Sequence, residues 1–197
     1  MNLIWSLAER VSRWAVWAGG AMLIAAALVV TAEVISRKGF GFAFSGSDEI
    51  ASYLFAVGTS WSLAFVLIGR ANVRIDALYM FLGARIRAIL DLVSLVMLGG
   101  FMLMLGDRAL TMVSTSLESG ARSNTPLRTL LGIPQTLWFA GLALFLLVLL
   151  LVLVRGIAAL AKGDLRGVNA VAGVQTQDEE VQGELESLHL GPAEGKR

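Results

Sequence analysis

Residues 133–154 read IPQTLWFAGLALFLLVLLLVLV, without one charged side chain. As an α-helix this run reaches about 33 Å, enough to cross a hydrocarbon layer about 30 Å thick. Such an all-round apolar helix presents no face to water and belongs in lipid or in a deep core. Working outward, Trp14–Ala32 and Ile50–Gly69 are also uncharged, and each matches a spanning helix. Leu92–Gly106 is shorter, but carrying it to Val113 takes in only Asp107 and Arg108, which then lie near one membrane face. The expectation is an all-α membrane protein with four transmembrane helices, at about 14–35, 49–69, 88–113 and 133–154.

Composition agrees. The 197 residues are 56% hydrophobic and 16% charged, against about 45–50% and 25% for soluble domains. The first apolar block follows Arg10 and Arg13, as in a secretory signal, but runs for nearly 20 residues, beyond the roughly 7–15 of a signal peptide. It reads as an uncleaved first span behind a short N-terminal segment, residues 1–13. Cysteine is absent, which removes disulfides and thiolate metal sites. A net charge of +1 without a basic patch gives no sign of a nucleic-acid partner.

Charge placement predicts orientation, because Lys and Arg in short flanks resist translocation. One side collects nine: Arg10, Arg13, Arg70, Arg74, Arg85, Arg87, Arg155, Lys162 and Arg166. The other has four, Arg37, Lys38, Arg122 and Arg128. Both termini and the central loop are therefore predicted to be cytoplasmic. Within that loop Leu78, Phe81, Leu82 and Ile86 share one helical face, interleaved with Arg74, Asp76, Arg85 and Arg87. This spacing predicts an interfacial amphipathic helix between spans two and three; the alternative is a segment leading directly into span three. Beyond Val154, Gly, Gln and acidic residues increase, which predicts a disordered cytoplasmic tail over 155–197.

Sites of chemistry are missing from the pattern. No glycine-rich phosphate loop with its lysine occurs. The sole histidine, His189, lies in the tail without companions for a catalytic triad or a metal set. The carboxylates sit mostly at span ends, unlike a pair held across a cleft. Neither enzyme activity nor a cofactor is expected. The Gly39–Phe40–Gly41 cluster reads as a loop bend, and Gly99–Gly100 as a place for close helix contact.

Two features inside the spans invite interpretation. Glu33 and Arg108 are expected at similar depth near the outer face. They form either an interhelical pair or side chains that snorkel to the interface. In span two, Ser52, Ala56, Ser60 and Ala64 recur every four residues, a stripe of small side chains along which another helix can approach closely.

Four motifs over residues 10–154 resemble the DctQ-like small membrane subunit of tripartite ATP-independent periplasmic (TRAP) transporters. The first is Ser47–Asp48–Glu49–Ile50–Ala51–Ser52–Tyr53–Leu54–Phe55, an acidic pair before an aromatic-containing helix start. Next comes Gly69–Arg70–Ala71–Asn72–Val73–Arg74–Ile75–Asp76, with Asn72 where the family commonly has His. The others are Arg85–Ile86–Arg87 and Leu131–Gly132–Ile133–Pro134. In the last, Gly132 permits a sharp bend and Pro134 suits a first helical turn. The family often carries a proline inside the final span, where this chain has Ala140–Gly141.

The resemblance implies a non-catalytic subunit in a bacterial inner membrane, supporting a large transport subunit fed by a periplasmic solute-binding protein. It also implies an ion gradient, commonly sodium, and solutes such as organic acids. On that reading Arg70, Arg74, Asp76, Arg85 and Arg87 meet partner or lipid headgroups. Asp48 and Glu49 either meet the solute-binding protein or stabilise the helix N-terminus through its dipole. A self-sufficient homo-oligomeric transporter or channel is the alternative, and it calls for a polar midplane that these spans lack.

Overall fold

The computed structural model describes residues 2–43, 45–70 and 82–173. They form α1 (Asn2–Gly39), α2 (Ser47–Ile68), α3 (Ala84–Ser119), α4 (Gly132–Ala161) and α5 (Leu165–Ala172). The first four are each long and apolar enough to cross a membrane. Extended pairing among the described residues is one isolated bridge, Arg122 with Leu130.

The helices outrun the uncharged blocks. α1 has 38 residues, α3 has 36 and α4 has 30, or about 57, 54 and 45 Å. Charged side chains end an apolar block without ending a helix, so Arg10, Arg13, Arg37 and Lys38 all lie within α1. Arg37 and Lys38 occupy its last turn, where the helix dipole favours cations. Arg85, Ile86 and Arg87, assigned from sequence to an interfacial segment, belong to the first turns of α3. Most of that segment, residues 71–81, lies outside the described residues.

The tail begins later than composition suggested. Ile157, Ala158, Ala159 and Leu160 keep α4 helical to Ala161, after which Gly163 turns the chain at φ +70°. Asp164 then caps α5, its carboxylate accepting the Gly167 N–H at 2.9 Å. Residues 174–197 fall outside the described residues.

The spans pack as a row in the order α1, α2, α4, α3, with α5 against α4 and α3. Three close approaches set this order. At the α1–α2 crossing a Cβ on Gly19 would lie 2.5 Å from the Gly58 carbonyl oxygen. At the α2–α4 crossing a Cβ on Gly141 would lie 2.5 Å from Ser60 Oγ and 2.8 Å from the Ser60 carbonyl carbon. Gly99 of α3 takes Leu149 of α4, at 3.2 Å from its virtual Cβ, whereas Gly100 faces open space. Backbones can approach this closely only where side chains are small. Ala64 and Leu67 of α2, Ala88, Leu92 and Leu95 of α3, and Phe145, Val148, Leu149 and Val152 of α4 join Val168 of α5 in one buried cluster.

Gly132 does not bend the chain. It lies within the first turn of α4, where a Cβ would come 2.5 Å from Leu117 Cδ2. Its role is to let the end of α3 pack closely. α3 itself stops at Gly120, φ +59°, with the Ala121 N–H on the Ser116 carbonyl and the Gly120 N–H on that of Leu117. This paired arrangement requires a left-handed residue, which glycine adopts without a Cβ penalty.

Candidate functional site

Polar side chains that could serve a function gather at the two rims of the row. One rim carries the loops 40–46 and 120–131 and is called the hairpin rim; the other carries the ends nearest the chain termini and is called the terminal rim.

At the hairpin rim the acidic pair splits. Successive helical residues are turned by about 100°, so Asp48 is exposed while Glu49 is only 6% exposed. Tyr53, one turn on, donates its hydroxyl to Glu49 Oε1 at 2.8 Å, and Thr125 donates to Glu49 Oε2. Thr125 opens a turn closed by the Arg128 N–H on the Thr125 carbonyl, 3.1 Å. Arg128 is left-handed at φ +48°, and the Arg122 guanidinium donates to its carbonyl at 3.1 Å. Ser123 N–H to Thr129 O and Leu131 N–H to Ala121 O complete a small hairpin. Its Leu127 presses on Gly46, where a Cβ would fall 2.4 Å from Leu127 Cγ. Glu49 thus holds the 120–131 loop on the start of α2.

Glu33 and Arg108 are not brought together. Glu33 is buried on α1, whose main packing neighbour is α2. Arg108 is 85% exposed, and its near carboxylate is that of adjacent Asp107, at 3.9 Å. α1 and α3 stand at opposite ends of the row, which is the physical reason. The small-residue stripe divides by burial: Ser60 and Ala64 are buried, Ala56 half-buried and Ser52 exposed. Ser60 meets Gly141, and beside them the Trp61 indole N–H donates to the Leu137 carbonyl at 2.9 Å. Gly58, which the stripe omits, carries the contact with α1 on another face.

At the terminal rim Arg70 donates to the Asn169 carbonyl of α5 at 3.1 Å, and Arg87 Nε donates to the Leu82 carbonyl at 2.6 Å. Arg85 is exposed. Arg74 and Asp76 lie outside the described residues. The Arg155 guanidinium stacks over the Trp5 ring, 4.2 Å from its centroid, which ties the start of α1 to the end of α4. Asp91 of α3 is 2% exposed and was missed from sequence. Its position four residues after Arg87, a spacing at which helical side chains are neighbours, was the available signal.

Among the described residues no cluster of His, Cys, Asp or Glu could hold a metal ion. Hydroxyl-bound Glu49 and carbonyl-bound Arg70 and Arg87 join segments of the chain.

Neither a curated protein nor a solved structure matches the chain. The DctQ component of tripartite ATP-independent periplasmic transporters matches over residues 26–159, from the middle of α1 almost to the end of α4. The chain belongs to the DctQ family and is the small membrane component of a TRAP transporter.

Proposed function

We propose that this subunit scaffolds the large transport subunit of an ion-gradient-driven importer and takes no part in moving solute itself. The observation that supports this is the row. A conducting chain would need polar groups lining a path at mid-depth. Among the described residues the buried polar side chains Ser12, Glu33, Ser47, Glu49 and Asp91 lie toward helix ends. Ser60 is the one near the middle of its span, with its hydroxyl donated to the Val57 carbonyl. The outer helices instead present broad apolar flanks, with Trp17 and Met104 each 73% exposed. Such flanks suit lipid or the helices of a larger membrane partner.

In this reading the terminal rim is cytoplasmic, following the excess of Lys and Arg there, and the hairpin rim faces the solute-binding protein. Exposed Asp48 beside the hairpin favours that contact, while buried Glu49 holds the surface in shape. Arg85 at the start of α3 meets anionic headgroups.

Co-expression with the large subunit and the binding protein tests the proposal. The tagged chain should elute with the large subunit in mild detergent, and proteoliposomes should take up solute only when all three are present. Recovery as a homo-oligomer that carries flux alone would overturn it. A reporter active only outside the cytoplasm, fused at Ser45 or Ala170, tests orientation. Activity at Ala170 alone would reverse it.

A further inference from the structure

The structure assigns α5 as a releasable strap that holds the terminal half of α3 in the row. Among the described residues α3 packs to any extent only on α4 and α5, so one neighbouring span and one short helix bear on its angle. α5 has eight residues, too few for a helix to persist in water without tertiary support. It is helical because it is docked. Val168, with no exposed surface, and Leu165 enter the cluster shared by Leu67 of α2, Ala88 and Leu92 of α3 and Val152 of α4. Arg70 at the end of α2 reaches across to the Asn169 carbonyl. This is a small attachment with a hinge beside it, because Gly163 at φ +70° joins α5 to α4.

The terminal half of α3 is tied to the row through Ala88, Leu92 and Leu95 in the shared cluster. It also presents exposed Ile86, Ile89 and Val93, which meet lipid equally well in either position. Toward the hairpin rim α3 is held differently, by Leu117 on Gly132 and Leu146 on Gly106. Undocking α5 therefore frees one end of α3 and leaves the other in place.

Spin-label distances in the full chain test this, and the absence of cysteine makes paired cysteines clean. Ile89→Cys and Ile157→Cys report the α3–α4 separation at the terminal rim, and Leu110→Cys and Leu137→Cys report it at the hairpin rim. All four native side chains are exposed. Val168→Glu should raise a longer-distance population about tenfold at the first pair, as expected for a local opening shifted by one decade, and leave the second pair unchanged. Arg70→Gln, which retains the apolar contacts, should raise the same population less, and it carries the test if Val168→Glu does not fold. No change at the first pair in either variant would overturn the strap. So would equal change at both pairs, because α3 would then be leaving as a whole.

Discussion

Gly141→Ala tests whether helix order rests on close approach. The added Cβ would sit 2.5 Å from Ser60 Oγ, 2.6 Å from Trp61 Cδ1 and 2.8 Å from the Ser60 carbonyl carbon. The hydroxyl can rotate away, but the carbonyl carbon is backbone, so α2 and α4 must part by roughly 1 Å, a gap that forfeits much of the dispersion energy of the atoms facing it. Overpacking of this kind costs about 1–3 kcal/mol. Separation also stretches the 2.9 Å bond from Trp61 to the Leu137 carbonyl, and interhelical hydrogen bonds in membranes contribute about 0.6 kcal/mol. Alanine's better helix propensity offsets up to about 1 kcal/mol. Gly100→Ala shares that gain without the clash, because its Cβ meets nothing within 4 Å. The difference between the two variants isolates packing, at about 1–3.5 kcal/mol. Reversible unfolding in mixed micelles with rising SDS, followed by the fluorescence of the five tryptophans, measures it. Equal midpoints for the two variants would refute the reasoning.

Other expectations concern single polar groups. Glu49→Ala removes the acceptor for Thr125 and Tyr53 and should loosen the hairpin by about 1–3 kcal/mol; amide exchange should rise over 120–131 while the middle of α4 stays protected, and an unchanged hairpin would count against the clamp. Ser12 is fully buried, and among the described residues its hydroxyl has no hydrogen-bond partner, so Ser12→Ala should leave stability unchanged or raise it by about 1 kcal/mol, and a lower unfolding midpoint would show an unseen partner. Arg108→Glu alone should leave the yield of folded protein on size exclusion unchanged, and combined with Glu33→Arg it should not restore what the latter loses. Rescue in the double variant would place α1 beside α3, contrary to the row.

The spans were legible from sequence because hydropathy is a sum over neighbouring residues. Their true ends were not, since a charge such as Arg10 or Arg87 marks where lipid stops but leaves the backbone helical. α5 was hidden for a related reason: LRGVNAVA is unremarkable in composition, and its helix depends on Val168 finding a cluster drawn from three distant spans. The stripe from Ser52 to Ala64 was visible as a pattern, yet small size alone does not say which of its members, or Gly58 outside it, lie at a helix contact. Only the positions of α1 and α4 reveal which of them make contact. Glu49 stands out in the sequence as half of an acidic pair, but its partner Thr125 is 76 positions away, and no local signal links them.

Sequence alone determined that this chain crosses a membrane four times, because the transfer of about 20 apolar side chains into hydrocarbon is additive and overwhelms any local preference. The neighbour order α1, α2, α4, α3 and the clamping of each rim were decided only in three dimensions. Lipid tails are as apolar as leucine, so hydrophobicity does not choose between one helix neighbour and another. The choice falls to a few glycines and hydrogen bonds whose fit exists only once the helices meet.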